Sequence, residues 1–76
     1  MLDVLKQIFC ALVDNPNDVK LTEVEGERTV IYEVRCNQAD LGKVIGKSGK
    51  TIGAVRILLS TMAARQGRRA MIEVVE

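Results

Sequence analysis

The spacing of apolar residues divides the 76-residue chain into six segments. Leu5, Ile8, Phe9 and Leu12 recur at three- and four-residue steps, which predicts an amphipathic helix from Leu2 to Val13. Asn15-Pro16-Asn17 ends it, because the residue before a proline disfavours α geometry. Val19 to Glu25 reads as a strand of imperfect alternation. Val19 and Leu21 share a face and Val24 falls out of phase, as a bulge or an edge position would allow. Glu25-Gly26-Glu27 reads as a hairpin turn in which glycine supplies an unusual dihedral. Thr29 to Cys36 is the cleanest strand, with Val30, Tyr32, Val34 and Cys36 on one face and Ile31, Glu33 and Arg35 on the other. Arg35, near its end, either reaches a ligand or is simply solvated.

Helical spacing returns at Leu41, Val44 and Ile45, predicting a short helix over Gln38 to Ile45. Asn37 is its N-cap, with Asp40 in the capping-box position three residues on. Gly42 inside this helix costs about 1 kcal/mol relative to alanine. Close approach of a ligand backbone or of the next helix would explain it, and so would simple tolerance in a short packed helix. After Gly46-Lys47-Ser48-Gly49, the spacing Ile52, Val55, Leu58/Leu59 and Met62 predicts a third helix from Lys50 to Gln66. Gly67 suits its C′ position and Arg65 complements its dipole. Ala70 to Val75 is a closing strand with Ile72 and Val74 inward and Glu73 outward. The order α-β-β-α-α-β implies one α+β domain over residues 1–76: a three-stranded mixed sheet with helices packed on one face. The hairpin pair would be antiparallel and the helix-linked pair parallel.

Composition changes the picture in two ways. Phe9 and Tyr32 are the only aromatic residues, so the core must be aliphatic and no aromatic platform for base stacking exists. Net charge is only +1, but it is unevenly spread. Lys43, Lys47, Lys50, Arg56, Arg65, Arg68 and Arg69 occupy a span without a carboxylate, and all ten acidic residues lie outside it. Such a distribution suggests a nucleic-acid face on an acidic body. Arg65, Arg68 and Arg69 lie a helix length from the glycine pair, where they would steer RNA, hold a flanking segment or only solvate the helix end. Cys10 and Cys36 sit among apolar residues and read as small buried hydrophobes of a reducing cytoplasm. The chain has no histidine and no clustered ligands, so neither a metal, a cofactor nor a nucleophile–base pair is expected. No apolar run approaches a membrane span and no leader is visible, which together point to a cytoplasmic protein.

The most specific chemistry lies at Val44-Ile45-Gly46-Lys47-Ser48-Gly49-Lys50-Thr51-Ile52. Gly46 can end one helix with positive φ. Gly49 removes a side chain at the start of the next, whose free N–H groups and dipole favour anions. Lys47 and Lys50 add positive charge, so the expected guest is a phosphate backbone. Gly42 to Ser48 also approximates a P-loop. Three residues rather than four separate its glycines, however, and a helix rather than a strand precedes it, so nucleotide hydrolysis is not expected.

The I-G-x-x-G-x-x-I pattern from Ile45 to Ile52, with the element order around it, resembles the KH domain of type II, and more closely the small single-KH proteins of bacteria, the KhpA group. That resemblance implies a single strand of about four nucleotides laid across the turn, phosphates on the turn and bases in an aliphatic groove. Carried over, Gly46, Lys47, Ser48 and Gly49 form the turn, with Lys47 and Ser48 outward. Ile45 and Ile52 line the groove floor or serve only the core. Leu41, Gly42, Lys50, Thr51 and Arg56 lie at the groove edge. It further implies single-stranded RNA as partner, a role in RNA regulation or chaperoning linked to the cell wall and cell shape, and a larger KH-containing partner. Exposed Ala54, Ile57 and Ala64 on the third helix would suit a homodimer or heterodimer. The competing reading is an interaction module that binds RNA only weakly.

Overall fold

A computed structural model describes residues 2–75. Helix α1 (Leu2–Leu12) is followed by a 3₁₀ turn at Pro16–Asp18, then strands β1 (Lys20–Glu25) and β2 (Thr29–Arg35). A 3₁₀ turn at Gln38–Asp40 leads into helix α2 (Leu41–Ile45). A third such turn, Lys47–Gly49, joins α2 to α3 (Lys50–Arg65), and β3 (Arg69–Val75) closes the chain. The sheet order is β1-β2-β3, antiparallel in the first pair and parallel in the second. This is the α+β architecture with a mixed sheet expected from the type II KH resemblance. The return through α2 and α3 makes the parallel pair possible, since a hairpin cannot join parallel strands.

Val30, Tyr32 and Val34 of β2 and Ile72 of β3 turn toward the helices, which supply Leu5, Phe9, Val44, Ile52, Val55 and Leu59. Leu5, Phe9, Val34 and Val44 are essentially inaccessible, and each such burial is worth about 1.5–3 kcal/mol. Ile31, Glu33 and Arg35 alternate with Val30, Tyr32 and Val34 and lie on the opposite sheet face, so Arg35 points away from the helix pair.

Several expectations are corrected. Leu12 is exposed, and the α1 stripe is completed instead by Val13, just beyond the helix. The β1–β2 register runs unbroken from Lys20↔Arg35 to Glu25↔Val30, so Val24 is out of phase because β1 is an edge strand and not because of a bulge. Gly26 has no positive φ; the hairpin closes through a 2.7 Å bond from its N–H to the Thr29 carbonyl. Cys36 lies past the end of β2 and only half-buried, as does Cys10 in α1. The buried row of α3 is Ile52, Val55, Leu59 and Ala63, whereas Leu58 and Met62 are exposed. Gly67 behaves as expected, with φ 69°. Its N–H bonds to the Ala64 carbonyl, and that of Arg68 to the Ala63 carbonyl, a complete Schellman ending.

Candidate nucleic-acid interface

Helix α2 has five residues, too few to hold its place by helix propensity alone. Its position is fixed from both sides. Val44 enters the core with no exposed surface. At the N-terminal end the Asn37 side chain accepts the Ala39 N–H at 2.9 Å, the expected cap. Asp40, however, makes no capping box. Its carboxylate is buried and turns to the chain leaving α1. It accepts the Asn15 backbone N–H at 3.0 Å, the Asn15 side-chain amide at 3.1 Å and the Asp14 N–H at 3.3 Å. Burial alone would raise the Asp40 carboxyl. The Asn15 amide, the two backbone donors and the Lys43 charge outweigh it and hold the group below the ordinary carboxylate value.

Lys43 belongs to this tie. Its ammonium pairs with Asp14 and lies 4.0 Å from Asp40, and the bond to Asp14 raises its pKa above the usual lysine value. A lysine counted from sequence among the basic span is thus already partnered. The same holds for Arg68, whose guanidinium bonds Glu25 at 2.7 Å and the Gly26 carbonyl at 2.9 Å. The sequence hid both pairs, because their acidic partners lie 29 and 43 residues away. Lys47, Lys50, Arg56, Arg65 and Arg69 have no ion pair among the described residues.

At the other end of α2 the backbone reverses through Gly46 (φ 80°, ψ 168°), Ser48 (φ 57°, ψ 28°) and Gly49 (φ 74°, ψ 16°). The two glycines serve different needs. A Cβ at Gly46 would sit 2.2 Å from the Thr51 Oγ1 and 2.7 Å from the Thr51 backbone nitrogen, so the chain folds back on itself there. A Cβ at Gly49 would meet open space, and only its left-handed backbone calls for glycine. Ser48 is the one non-glycine residue with positive φ among those described, at a cost of about 1–2 kcal/mol. Gly49 is the N-cap of α3 and no side chain caps that helix. The positive end of its dipole is left open beside the exposed Lys47 and Lys50.

The predicted site residues therefore divide. Gly46, Lys47, Ser48, Gly49 and Lys50 form one surface at the α2–α3 junction, with Thr51 half-buried beneath Gly46. Ile45 is 36% exposed beside the turn, whereas Ile52 is 7% exposed and belongs to the core. Leu41 is half-buried and Gly42 exposed. A Cβ at Gly42 would meet nothing within 4 Å, so no close contact at that position calls for glycine. Arg56 is exposed on the flank of α3 that faces β3, with one terminal nitrogen 3.5 Å from the Ile72 carbonyl. Gly53, one turn nearer the junction than Arg56, was not singled out from sequence; its signal is the missing side chain inside a helix.

Known proteins resemble the chain along nearly its whole length. The family model described as KhpA/KhpB, KH domain matches residues 2–74. The RNA-binding protein KhpA of Chlamydia pneumoniae is 43% identical over the whole chain and 97% of its own length. The RNA-binding protein KhpA of Aquifex aeolicus is 42% identical over 97% of the chain and 94% of its own length. That of Borreliella burgdorferi is 39% identical over 99% of the chain and 92% of its own length. No solved structure matches the chain.

Proposed function

Because this chain belongs to the KhpA/KhpB KH-domain family, we propose that it binds single-stranded RNA, with the backbone gripped by the Gly46–Gly49 turn. The observation that carries the reading is the start of α3, which no side chain among the described residues caps, with left-handed Gly49 between two exposed lysines. Phosphate oxygens accept hydrogen bonds and carry charge, and this corner offers donors, a dipole and cations together. Lys47 and Lys50 supply the charge. Ser48 holds its side chain outward. Ile45 and Leu41 offer aliphatic surface to a base, while Ile52 acts from below by supporting α3. Gly42 leaves the α2 surface low, and Arg56 stands at the far side of the groove. The protein acts in the cytoplasm as an RNA chaperone or post-transcriptional regulator, with cell-wall and cell-shape control as its setting.

Changing Lys47 and Ser48 together to aspartate tests the grip. Binding of a short single-stranded RNA collapses, because two carboxylates face the phosphates. The melting temperature holds, because aspartate tolerates left-handed backbone and interacts favourably with the helix dipole. A double variant that folds and still binds like the parent removes the turn from the site.

A second reading has its own observation. On the side of α3 turned from the core, Ile57 is 67%, Leu58 60% and Met62 49% exposed. Adjacent apolar side chains of this size suit a protein contact. A homodimer, or a heterodimer with a larger KH-containing protein, would cover them. Ile57→Lys then yields a monomer in sedimentation with RNA binding to the turn retained; an unchanged assembly state clears the surface of that role.

A further inference from the structure

Strand β1 breaks its apolar alternation at Val24, and the register shows what that residue joins. Val24 stands opposite Ile31 of β2, and Ile31 stands opposite Met71 of β3. The three side chains lie on the sheet face turned from the core, in one row across all three strands. Val24 is 52% and Met71 49% exposed, with Ile31 half-buried between them. Two residues along the strands, the same face carries Thr22, Glu33 and Glu73 in register. Like charges directly opposite one another destabilise a sheet. Neither glutamate is in an ion pair among the described residues. Lys20 and Arg35 form the row beyond, and neither of them is in an ion pair there either. The face is therefore banded: apolar, then acidic, then basic.

Its size limits what can cover it. The strands have six or seven residues. Three such strands, ~4.8 Å apart with ~3.3 Å per residue, offer a face on the order of 330 Å². That is under half of the ~800 Å² that each partner gives to a standard interface. A second folded copy of this chain would gain too little area there. One α-helix, about 10 Å wide, fits. Laid along the apolar row, it crosses ~14 Å in about nine residues. The acidic row runs beside it at about 6.7 Å. Lysine or arginine side chains rooted on that flank of the helix span such a distance.

We propose that the outer sheet face docks an amphipathic helix of a partner protein, its apolar residues on Val24, Ile31 and Met71 and its basic residues on Glu33 and Glu73. The partner supplies the cations that the glutamate pair lacks within this chain. Helices α2 and α3 pack on the other face of the sheet, and the Gly46–Gly49 turn goes with them. So do Ile57, Leu58 and Met62, exposed on α3. The docked helix leaves all of these free, and the proposal stands independently of the turn's role as an RNA grip.

The test uses a synthetic helical peptide of about 14 residues, long enough to overhang the row at both ends. It carries leucines at three- and four-residue steps on one face and lysines along one flank. A second peptide has the same composition in scrambled order. Fluorescence anisotropy measures both against the parent, Val24→Thr/Met71→Thr, Glu33→Gln/Glu73→Gln and Leu58→Lys. Melting curves confirm that each variant is folded, and the glutamine pair melts no lower than the parent because the opposed charges are gone. The parent binds the ordered peptide at least ten-fold tighter than the scrambled one. Both double variants lose several-fold affinity, the glutamine pair also loses most of the salt dependence, and Leu58→Lys matches the parent. Equal binding of the two peptides reduces the contact to charge alone and overturns the proposal. So does retained binding in both double variants, or a loss in Leu58→Lys, which moves the site to α3. Sedimentation covers the remaining occupant: a parent that self-associates and a Val24→Thr/Met71→Thr protein that does not would assign the face to a second copy and defeat the helix.

Discussion

The two ends of the five-residue helix α2 are opposite in kind. At the start, Asp40 is buried, takes three hydrogen bonds from Asp14 and Asn15, and shares Lys43 with Asp14. At the finish, Gly46, Ser48 and Gly49 carry positive φ, and no side chain among the described residues caps the helix that follows. One end consumes its polar side chains internally and the other leaves those of Lys47, Ser48 and Lys50 exposed. The difference teaches how a helix too short to be stable alone can present a ligand site: its position is set by long-range ties, so the side chains of the exposed corner are left free of that task.

The change with the largest effect should remove what both ends rest on. Ile52→Ala opens a cavity under the α2–α3 junction and costs about 2–5 kcal/mol, a large share of the stability of so small a domain. Thermal melting reads it, and RNA binding is lost together with the fold.

Breaking the tied end comes next. Asp40→Asn gives up a charge held by three donors and a lysine, and the melting temperature at neutral pH falls. The pH dependence identifies the group. The folded pKa of Asp40 is depressed, so its contribution is complete above the ordinary carboxylate pKa and fades as pH falls through the lower folded value. The variant therefore shows a flatter acid limb of stability against pH than the parent. An acid limb identical in both would mean that Asp40 does not carry the tie. The raised pKa of Lys43 works in the other direction: its contribution is complete below the ordinary lysine value and fades only as pH rises through the higher folded one.

The open end separates its two glycines by a smaller margin. Gly49→Ala meets only backbone strain, about 1–2 kcal/mol, because the space around it is empty. Gly46→Ala adds a collision with Thr51 to the same kind of strain and should melt clearly lower. Equal melting temperatures would indicate that Thr51 yields without cost. The smallest effect on stability belongs to Lys47→Asp/Ser48→Asp, where each aspartate gains about 0.3–1 kcal/mol from the helix dipole. Stability there stays level or rises slightly while the binding assay changes most.

The sequence by itself determined the order of elements and the turn between the second and third helices. Those features are written in short-range signals: a two- or three-to-four-residue apolar period, a proline after a helix, glycines where φ must be positive. Val30, Tyr32 and Val34 alternate because a pleated strand alternates, and Gly46 and Gly67 stand where helices end in left-handed backbone. Only the tertiary structure decided how the polar residues were spent. Asp40 stands where a capping box would use it, yet the end of α1 arrives with two unpaired N–H groups and takes it. Lys43 and Arg68 read as part of one basic span until Asp14 and Glu25 fold against them. Leu58 and Leu59 fit the helical period equally well, and the sheet buries one and leaves the other at 60% exposure. Ile45 and Ile52 are equivalent in the motif, but one lies beside the turn and one beneath it. A local pattern fixes the backbone because steric and hydrogen-bonding rules act over a few residues. Which charge is neutralised and which apolar face stays bare depends on groups many residues apart, and packing alone brings those together.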